Sequence, residues 1–374
     1  MESQYSHCPA TGMQAFAYAI RRIRPTAGNQ SPAQSVLVKI LTIDIQLDDM
    51  HMADALVSPA VAGVAGAVAV GLLAVAAKKV KSDMSDNMVP LMGVMGAFIF
   101  AAQMINFTIP GTGSSGHIVG GILLGAVLGP WAAFLTLTSV LVVQCLIFAD
   151  GGLMALGCNI INMAALSTLV AYPLIYKPIA GHGDRSWRIT AGAVTASVIS
   201  LELGALCVTA ETEMSGVTAL PWKEFLTLMC SIHLFIGLGE GLATAAVLYF
   251  VKSYKPDLLA ANRAAGTASA NSSYKKAAWI FMGTAMLLGL LFTWIASSYP
   301  DGLEWSIASI IGDADLPTVK GAVQDALGGV QASTSVLPDY GSTWSGVIGC
   351  AIVVTMVWIL AGLLVRRKTA VKKL

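Results

Sequence analysis

Charge is scarce in this chain. Of its 374 residues only 11% are Asp, Glu, Lys or Arg, and the formal net charge is +1. Soluble domains carry about 25% charged residues, so an ordinary soluble enzyme and a disordered chain are both excluded. No basic face exists to neutralise phosphates, which argues against a nucleic-acid partner. Cysteine is also sparse: there are six, with no CxxC pair, so neither a zinc site nor a disulfide framework is indicated. Cys145, Cys158, Cys207, Cys230 and Cys350 fall in or beside apolar stretches and read as small buried hydrophobes. A phosphate-binding GxxxxGK[ST] loop is missing, and the chain contains no Gly-Lys dipeptide at all. No bound ATP is therefore expected. What the chain does have is apolar surface, with 56% hydrophobic residues and a mean hydropathy of +0.72. Its long apolar runs do not alternate as β-barrel strands would. The expected fold class is all-α: a polytopic helical membrane protein.

Nine hydrophobic segments are long enough to consider as crossings, at about 20 residues each. They cover roughly 59–77, 91–109, 118–129, 130–148, 158–176, 188–209, 224–251, 277–297 and 344–365. One helix over 118–148 would be about 46 Å long, against a hydrocarbon core of about 30 Å. Gly129-Pro130 also breaks the run, so it is read as two segments. The first is short and must be tilted or shielded by protein. Lys78, Lys79 and Lys81 follow the first segment, which places that end in the cytoplasm. Two crossings within 118–148 then put the basic groups near 177–188, 252–276 and 366–373 inside. The acidic loops, with Glu211 and Glu213 and with Asp301 to Asp339, fall outside. The expectation is an N-out, C-in protein of the cell membrane. A seven-span core occupies about 50–251, a polar linker 252–276, and a two-span unit with a long outer loop 277–374. Residues 1–49 are mixed polar and basic and lack a signal peptide's apolar stretch. They are expected to be dispensable, or to precede a misassigned start.

Two histidine-bearing segments stand out at the outer face. One is Met50-His51-Met52-Ala53-Asp54, and the other runs Asn106-Phe107-Thr108-Ile109-Pro110-Gly111-Thr112-Gly113-Ser114-Ser115-Gly116-His117. Irregular backbone at membrane depth is tolerated only where protein buries it or it lines a cavity. Gly111, Gly113 and Gly116 permit tight turns and close approach to a ligand. If Met50 is the first residue, its amine, the His51 backbone nitrogen and the His51 ring Nδ1 chelate one ion through fused rings. His117 then completes a square-planar set of four nitrogens. That geometry suits Ni(II), Cu(II) or low-spin Co(II), and excludes Mg, Ca and tetrahedral Zn. The plain alternative is a pair of hydrogen-bonded loop histidines.

The segments MHMADALVSPAVAG, NFTIPGTGSSGHIVGG and IHLFIGLGEGLATA resemble the M-type substrate-binding (S) component of energy-coupling-factor (ECF) transporters for cobalt and nickel. The resemblance covers about 50–251. Members of that family characteristically begin at the Met-His found here at 50–51. It implies Met50, His51 and His117 as metal ligands and Ni2+ or Co2+ as the transported substrate. It also implies a transmembrane coupling (T) component and a pair of ABC-type ATPase (A) subunits as partners in the bilayer. This chain has Met-Ala at 52–53 where many relatives have Ile-Pro. The tail, with SSYPDGLEWS and LPDY, resembles the PDGLE-type accessory domain over about 277–374 and leans the reading toward nickel. Residues 298–343 carry six carboxylates and no histidine. That loop is expected to act in loading or coupling and not to ligate the ion.

Further residues carry weaker expectations. His233 and Glu240 share one helix face and are candidates for support of the site, as are Asn106, Asp54, Ser114 and Ser115. Asn159, Asn162 and Glu202 read as glue between helices, and Asp150 in FADGG is a candidate partner for a ligand histidine. Small residues at four-residue spacing, Gly63, Ala67 and Gly71 and again Gly93, Ala97 and Ala101, allow close helix approach. Two other functions are weighed. Gly113-Ser114-Ser115-Gly116 matches the GxSG of rhomboid intramembrane proteases, with Ser115 as nucleophile and His233 as base. A passive metal channel would share the same ligands.

Overall fold

The structure is a computed structural model, and it describes residues 51–83, 88–181, 185–264, 275–312, 321–340 and 344–371. Residues 1–50, Met50 included, lie outside the described residues. So do His182, most of the polar linker (265–274), and Asp313 and Asp315 of the outer loop. Leu47–Leu374 form one compact unit.

The protein is mostly helical. A single 3-10 turn, Asp54–Leu56, leads into α1 (Pro59–Asp83) and α2 (Met88–Gln103). A two-stranded antiparallel hairpin follows, β1 (Phe107–Ile109) with β2 (Ser114–Gly116), in the register Phe107 opposite Gly116. Then come α3 (Gly121–Leu128), α4 (Pro130–Phe148), α5 (Leu156–Ala180), α6 (Ser186–Ser215) and α7 (Trp222–Tyr254). After the short α8 (Ala260–Ala264) the C-terminal unit contains α9 (Lys275–Ile295), α10 (Gly302–Ile311), α11 (Ala322–Thr334) and α12 (Ser345–Val371). Among the described residues six helices are long and apolar enough to cross a membrane: α1, α4, α5, α6, α7 and α12.

Two points refine the sequence reading. The apolar run expected to cross as 91–109 ends its helix at Gln103, and Phe107–Ile109 is strand. Pro110 cannot continue a helix, and Gly111 and Gly113 take φ of +81° and +75° to reverse the chain. An all-α protein thus keeps one small hairpin, whose turn is regular and not loose coil. The run 118–148 does break at Gly129, which has φ +84°, with Pro130 as the first residue of the next helix. All eight residues of α3 are buried, so this short helix is shielded by protein. Glycine makes that possible. A Cβ on Gly121 would stand 1.8 Å from Ser167 Oγ, and one on Gly125 would stand 2.5 Å from the Tyr172 ring.

Packing explains the layout. α3 lies against α4 and α5; α6 and α7 form a hairpin against α5; α9 and α12 flank α2. Gly93 and Ala97 belong to this last contact. A Cβ at Gly93 would meet Val354 O at 3.4 Å, and Cys350 Sγ approaches the Ala97 carbonyl. The second small-residue stripe is therefore internal packing. The first is not: Gly63, Ala67 and Gly71 on α1 are exposed, with nothing within 4 Å of a Cβ on either glycine.

Candidate metal centre

The segment carrying His51 is fixed by its backbone. Asn159 Oδ1 accepts from Met52 N at 3.1 Å, and Asn159 Nδ2 donates back to the Met52 carbonyl at 3.1 Å. Gly152 N donates to the same carbonyl at 3.1 Å. Asp54 Oδ1 accepts from Ala155 N at 2.9 Å, so its role is to staple this segment to the start of α5. The loop after α4 must come very close for this. A Cβ on Gly151 would sit 2.7 Å from His51 Cβ, and one on Gly152 would sit 1.9 Å from Asp54 Oδ1.

His117 is held from the other side. Glu240, fully buried on α7, accepts from Val119 N at 2.9 Å and Gly120 N at 3.0 Å, one on each carboxylate oxygen. These two amides introduce α3, whose positive end favours the carboxylate. Gly116, beside His117, is a packing glycine: a Cβ there would lie 2.5 Å from Ile236 of α7. The outcome is that the two histidines meet, with ring centroids 5.5 Å apart and planes inclined at 60°. Burial pushes the His117 imidazole down to about 3, with the neighbouring His51 ring adding to the shift. His117 therefore stands neutral, its Nδ1 buried with no hydrogen-bond partner among the described residues. A neutral imidazole is the form that binds a metal.

Both rings line a cavity of about 80 Å³, together with Met52, Asn159, His233 and Asp301. At roughly 10–15 Å³ per water centre it has room for an ion and a few waters, not for an organic substrate. Among the described residues no three His, Cys, Asp or Glu side chains gather as a ligand set by themselves. Two imidazoles need further donors from elsewhere.

His51 Nδ1 lies 2.6 Å from Asp150 Oδ1, and Tyr340 Oη donates to Asp150 Oδ2 at 2.6 Å. Burial alone would raise the Asp150 carboxyl, but the His51 ring and the hydrogen bonds from His51 and Tyr340 outweigh it and hold it below the usual range. The nitrogen that an N-terminal chelate would use is thus engaged with a carboxylate here. Three non-glycine residues have positive φ among the described residues, and all flank this contact: Ala149 (+58°), Asp339 (+52°) and Tyr340 (+50°). Each such residue costs on the order of 1 kcal/mol.

The other residues singled out in the sequence divide in two. His233 lines the cavity, its Nδ1 bonded to the Met229 carbonyl at 2.8 Å. Ser114 and Ser115 do not line the cavity and dock the C-terminal unit. Ser115 N donates to Pro300 O at 2.8 Å, and its hydroxyl to Tyr299 O at 2.7 Å. Asn106 does the same through its carbonyl, which accepts from Ser297 N at 2.8 Å. The protease alternative fails here. The Ser115 hydroxyl is buried and spent on carbonyls, and no hydrogen bond joins it to His233 among the described residues.

Sequence reasoning did not place Asp301 at the cavity, nor Tyr340 against Asp150. Asp301 caps α10, accepting from Glu304 N at 2.9 Å, while Glu304 answers to the Asp301 amide. The D-G-L-E spacing is a capping box, so the helix start was readable; its position was not. Burial raises the Asp301 carboxyl to about 7.

Comparison with known proteins accounts for both halves of the chain. Residues 51–258 match the family described as cobalt uptake substrate-specific transmembrane region, CbiM, and residues 275–367 match the PDGLE domain. A relative from Archaeoglobus fulgidus, named putative fused nickel transport protein NikMN, is 31% identical over 82% of this chain and 96% of its own. The fused nickel transport protein NikMN of Rhodobacter capsulatus is 28% identical over 84% of this chain and 98% of its own. A crystal structure of a truncated transition metal transporter is 32% identical, with a TM-score of 0.49 over 55% of this chain and 99% of that one. The chain belongs to the CbiM family of cobalt uptake substrate-specific transmembrane proteins, fused at its C-terminal end to a PDGLE domain.

Proposed function

We propose that this protein is the metal-binding specificity component of an ATP-driven ECF-type importer for nickel or cobalt ions. The observation that carries the reading is the meeting of His51 and His117, 5.5 Å apart, across a cavity of ion size. Neutral imidazoles select borderline transition metals over Mg2+ and Ca2+. Nickel is the favoured cargo, because relatives matching most of this chain, in fused form, are named nickel transport proteins. Met50, when it starts the chain, adds its amine and the His51 amide nitrogen to the two imidazoles.

Energy comes from partners. With no phosphate loop of its own, the chain relies on a T component and a pair of A subunits. The exposed small-residue stripe Gly63, Ala67 and Gly71 on α1 is a surface on which a coupling helix can slide closely. Lys78, Lys79 and Lys81 at the far end of α1 put that end in the cytoplasm, and so the metal cavity on the extracytoplasmic side of the cell membrane.

Uptake of radiolabelled Ni2+ and Co2+ by cells expressing the protein, with and without the coupling proteins, tests this. Accumulation only with the partners is the expected result. Accumulation without them would mean a passive channel; no accumulation of either ion under any condition would remove the transport reading.

A further inference from the structure

A second cavity lies between α1, α2, α4 and α12 and shares no residue with the first. It is a cleft of about 670 Å³, against about 80 Å³ for the cavity of the two histidines. Leu73 and Ala77 line it from the C-terminal half of α1, and Met92 from the second turn of α2. On α4 the lining runs from Leu135 to Val142, in the middle of that helix. On α12 it lies within 356–363, the last part of the apolar stretch Ser345–Leu363. Only Thr138 and Ser139 interrupt the apolar walls, and the Ser139 hydroxyl is spent on the Leu135 carbonyl at 2.8 Å.

Walls around a void lose their dispersion contacts, and water finds too few polar partners in an apolar one. An apolar occupant is required, and the dimensions choose it. From Leu135 to Val142, seven residues at about 1.5 Å each rise roughly 10 Å. Half of a hydrocarbon core of about 30 Å is about 15 Å. The cleft therefore runs from one end of the bundle to about mid-membrane, as one acyl chain does. A partner's spanning helix would cross both leaflets and need a groove about twice as long.

Charge marks the same end. Leu73, Ala77 and Lys81 recur every four residues and share one face of α1, so the lined face leads directly to a lysine. Lys78 and Lys79 beside it are exposed. In the sequence, 78–88 and 364–374 together hold eight Lys or Arg against two acidic residues, Asp83 and Asp86. Lysine stems lie along apolar surface while the ammonium stays among the headgroups. Basic pockets between spanning helices attract anionic headgroups.

We propose that this cleft is a lipid site, taking one acyl chain of an anionic glycerophospholipid whose phosphate is met by Lys81 with Lys78 and Lys79. The chain fills the space where α12, the last helix of the C-terminal unit, faces α1 and α4 of the core. The site stands at the other end of α1 from His51, so it acts on the joining of the two units and not on the ion.

The test uses the full chain in bilayers of equal parts palmitoyl-oleoyl phosphatidylglycerol and phosphatidylcholine. Native mass spectrometry after gentle release should find one retained lipid, with phosphatidylglycerol favoured about tenfold. Phosphatidylglycerol carrying a photoreactive group at the end of one chain should label 135–142 and 356–363. Ala77→Phe places a ring in the cleft and should abolish this labelling. Leu360→Trp, at the exposed rim, serves the same purpose if the first variant fails to fold. Changing Lys78, Lys79 and Lys81 together to Gln should remove the headgroup preference and keep the chain labelling. No retained lipid, equal retention of the two lipids, labelling confined to other segments, or labelling unchanged by the blocking variants overturns the proposal. So does cross-linking of Val142→Cys to a partner helix with loss of lipid labelling, since the cleft would then belong to a protein.

Discussion

Asn159 and Met52 are joined by a reciprocal pair of hydrogen bonds, amide to amide, both 3.1 Å long. A helix side chain here acts as a strand neighbour for one residue of a coil. This is what fixes the backbone beside His51. Asn159→Ala should therefore weaken Ni2+ binding about tenfold, in line with other outer-shell supports, without abolishing it. Calorimetry on the purified variant decides the matter; unchanged affinity would mean that the Gly152 and Asp54 contacts suffice.

His51→Ala and His117→Ala should each abolish high-affinity binding; His117→Ala should leave the melting temperature nearly intact, whereas His51→Ala also strips the buried Asp150 carboxylate of a partner and should lower it. Each removes one of the two imidazoles that the cavity brings together. Near-normal affinity in either variant would take that residue out of the ligand set.

Glu240→Gln tests the support of His117. Glutamine has a single acceptor oxygen, yet two buried amides, Val119 N and Gly120 N, require acceptors. One is left unsatisfied, at a cost of roughly 1–3 kcal/mol. Thermal unfolding should show the loss, and Ni2+ affinity should fall with it. A variant as stable as the parent would show that the two amides find other acceptors.

Asp301 gives a pH dependence whose sign follows from its burial. Its folded pKa of about 7 lies above the ordinary 3.8, so the folded state binds the proton more tightly. This group therefore favours folding most below pH 3.8, and the contribution falls as pH rises through about 7. Asn is an equally good N-cap and carries no charge. Asp301→Asn should raise the melting temperature of metal-free protein at pH 8, by roughly 2–4 °C per kcal/mol relieved, and raise it clearly less at pH 5, where only the stretch above 3.8 has been crossed. An equal shift at both pH values would refute the assignment.

Adding one residue before Met50, in a protein that begins there, should erase the square-planar Ni2+ band. The addition moves the free amine out of chelating reach and alters no side chain. Persistence of the band would rule the amine out as a donor.

Much of the scaffold was legible because its signals are local. Gly129-Pro130 announces a helix break in any context, and the structure breaks there. The hydropathy of 91–109 conceals the end of a helix, because Phe107, Thr108 and Ile109 are as apolar in a strand as in a span. Only Pro110 and the two turn glycines betrayed the change. At the site, the two histidines could be picked out by their scarcity, and Asp150 by its acidity in an apolar stretch. Tyr340 could not. It is 190 residues from Asp150, and no period or spacing encodes a contact of that range. Asp301 was visible as a cap, but what the cap faces depends on how α10 lies against α7 and β2.

The seam between the core and the C-terminal unit is written largely in main-chain atoms. Ser115 N meets Pro300 O, Ser297 N meets Asn106 O, and Leu337 N meets Ile147 O. The Trp305 indole and the Gln331 amide also end on carbonyls, those of Thr112 and Gly151. Substitution changes side chains and leaves carbonyls where they are. Such a junction can survive wide drift on either side, and paired changes across it would leave few traces in diverging sequences. The same backbone matching would let a separately translated PDGLE partner dock on an unfused core through the same carbonyls.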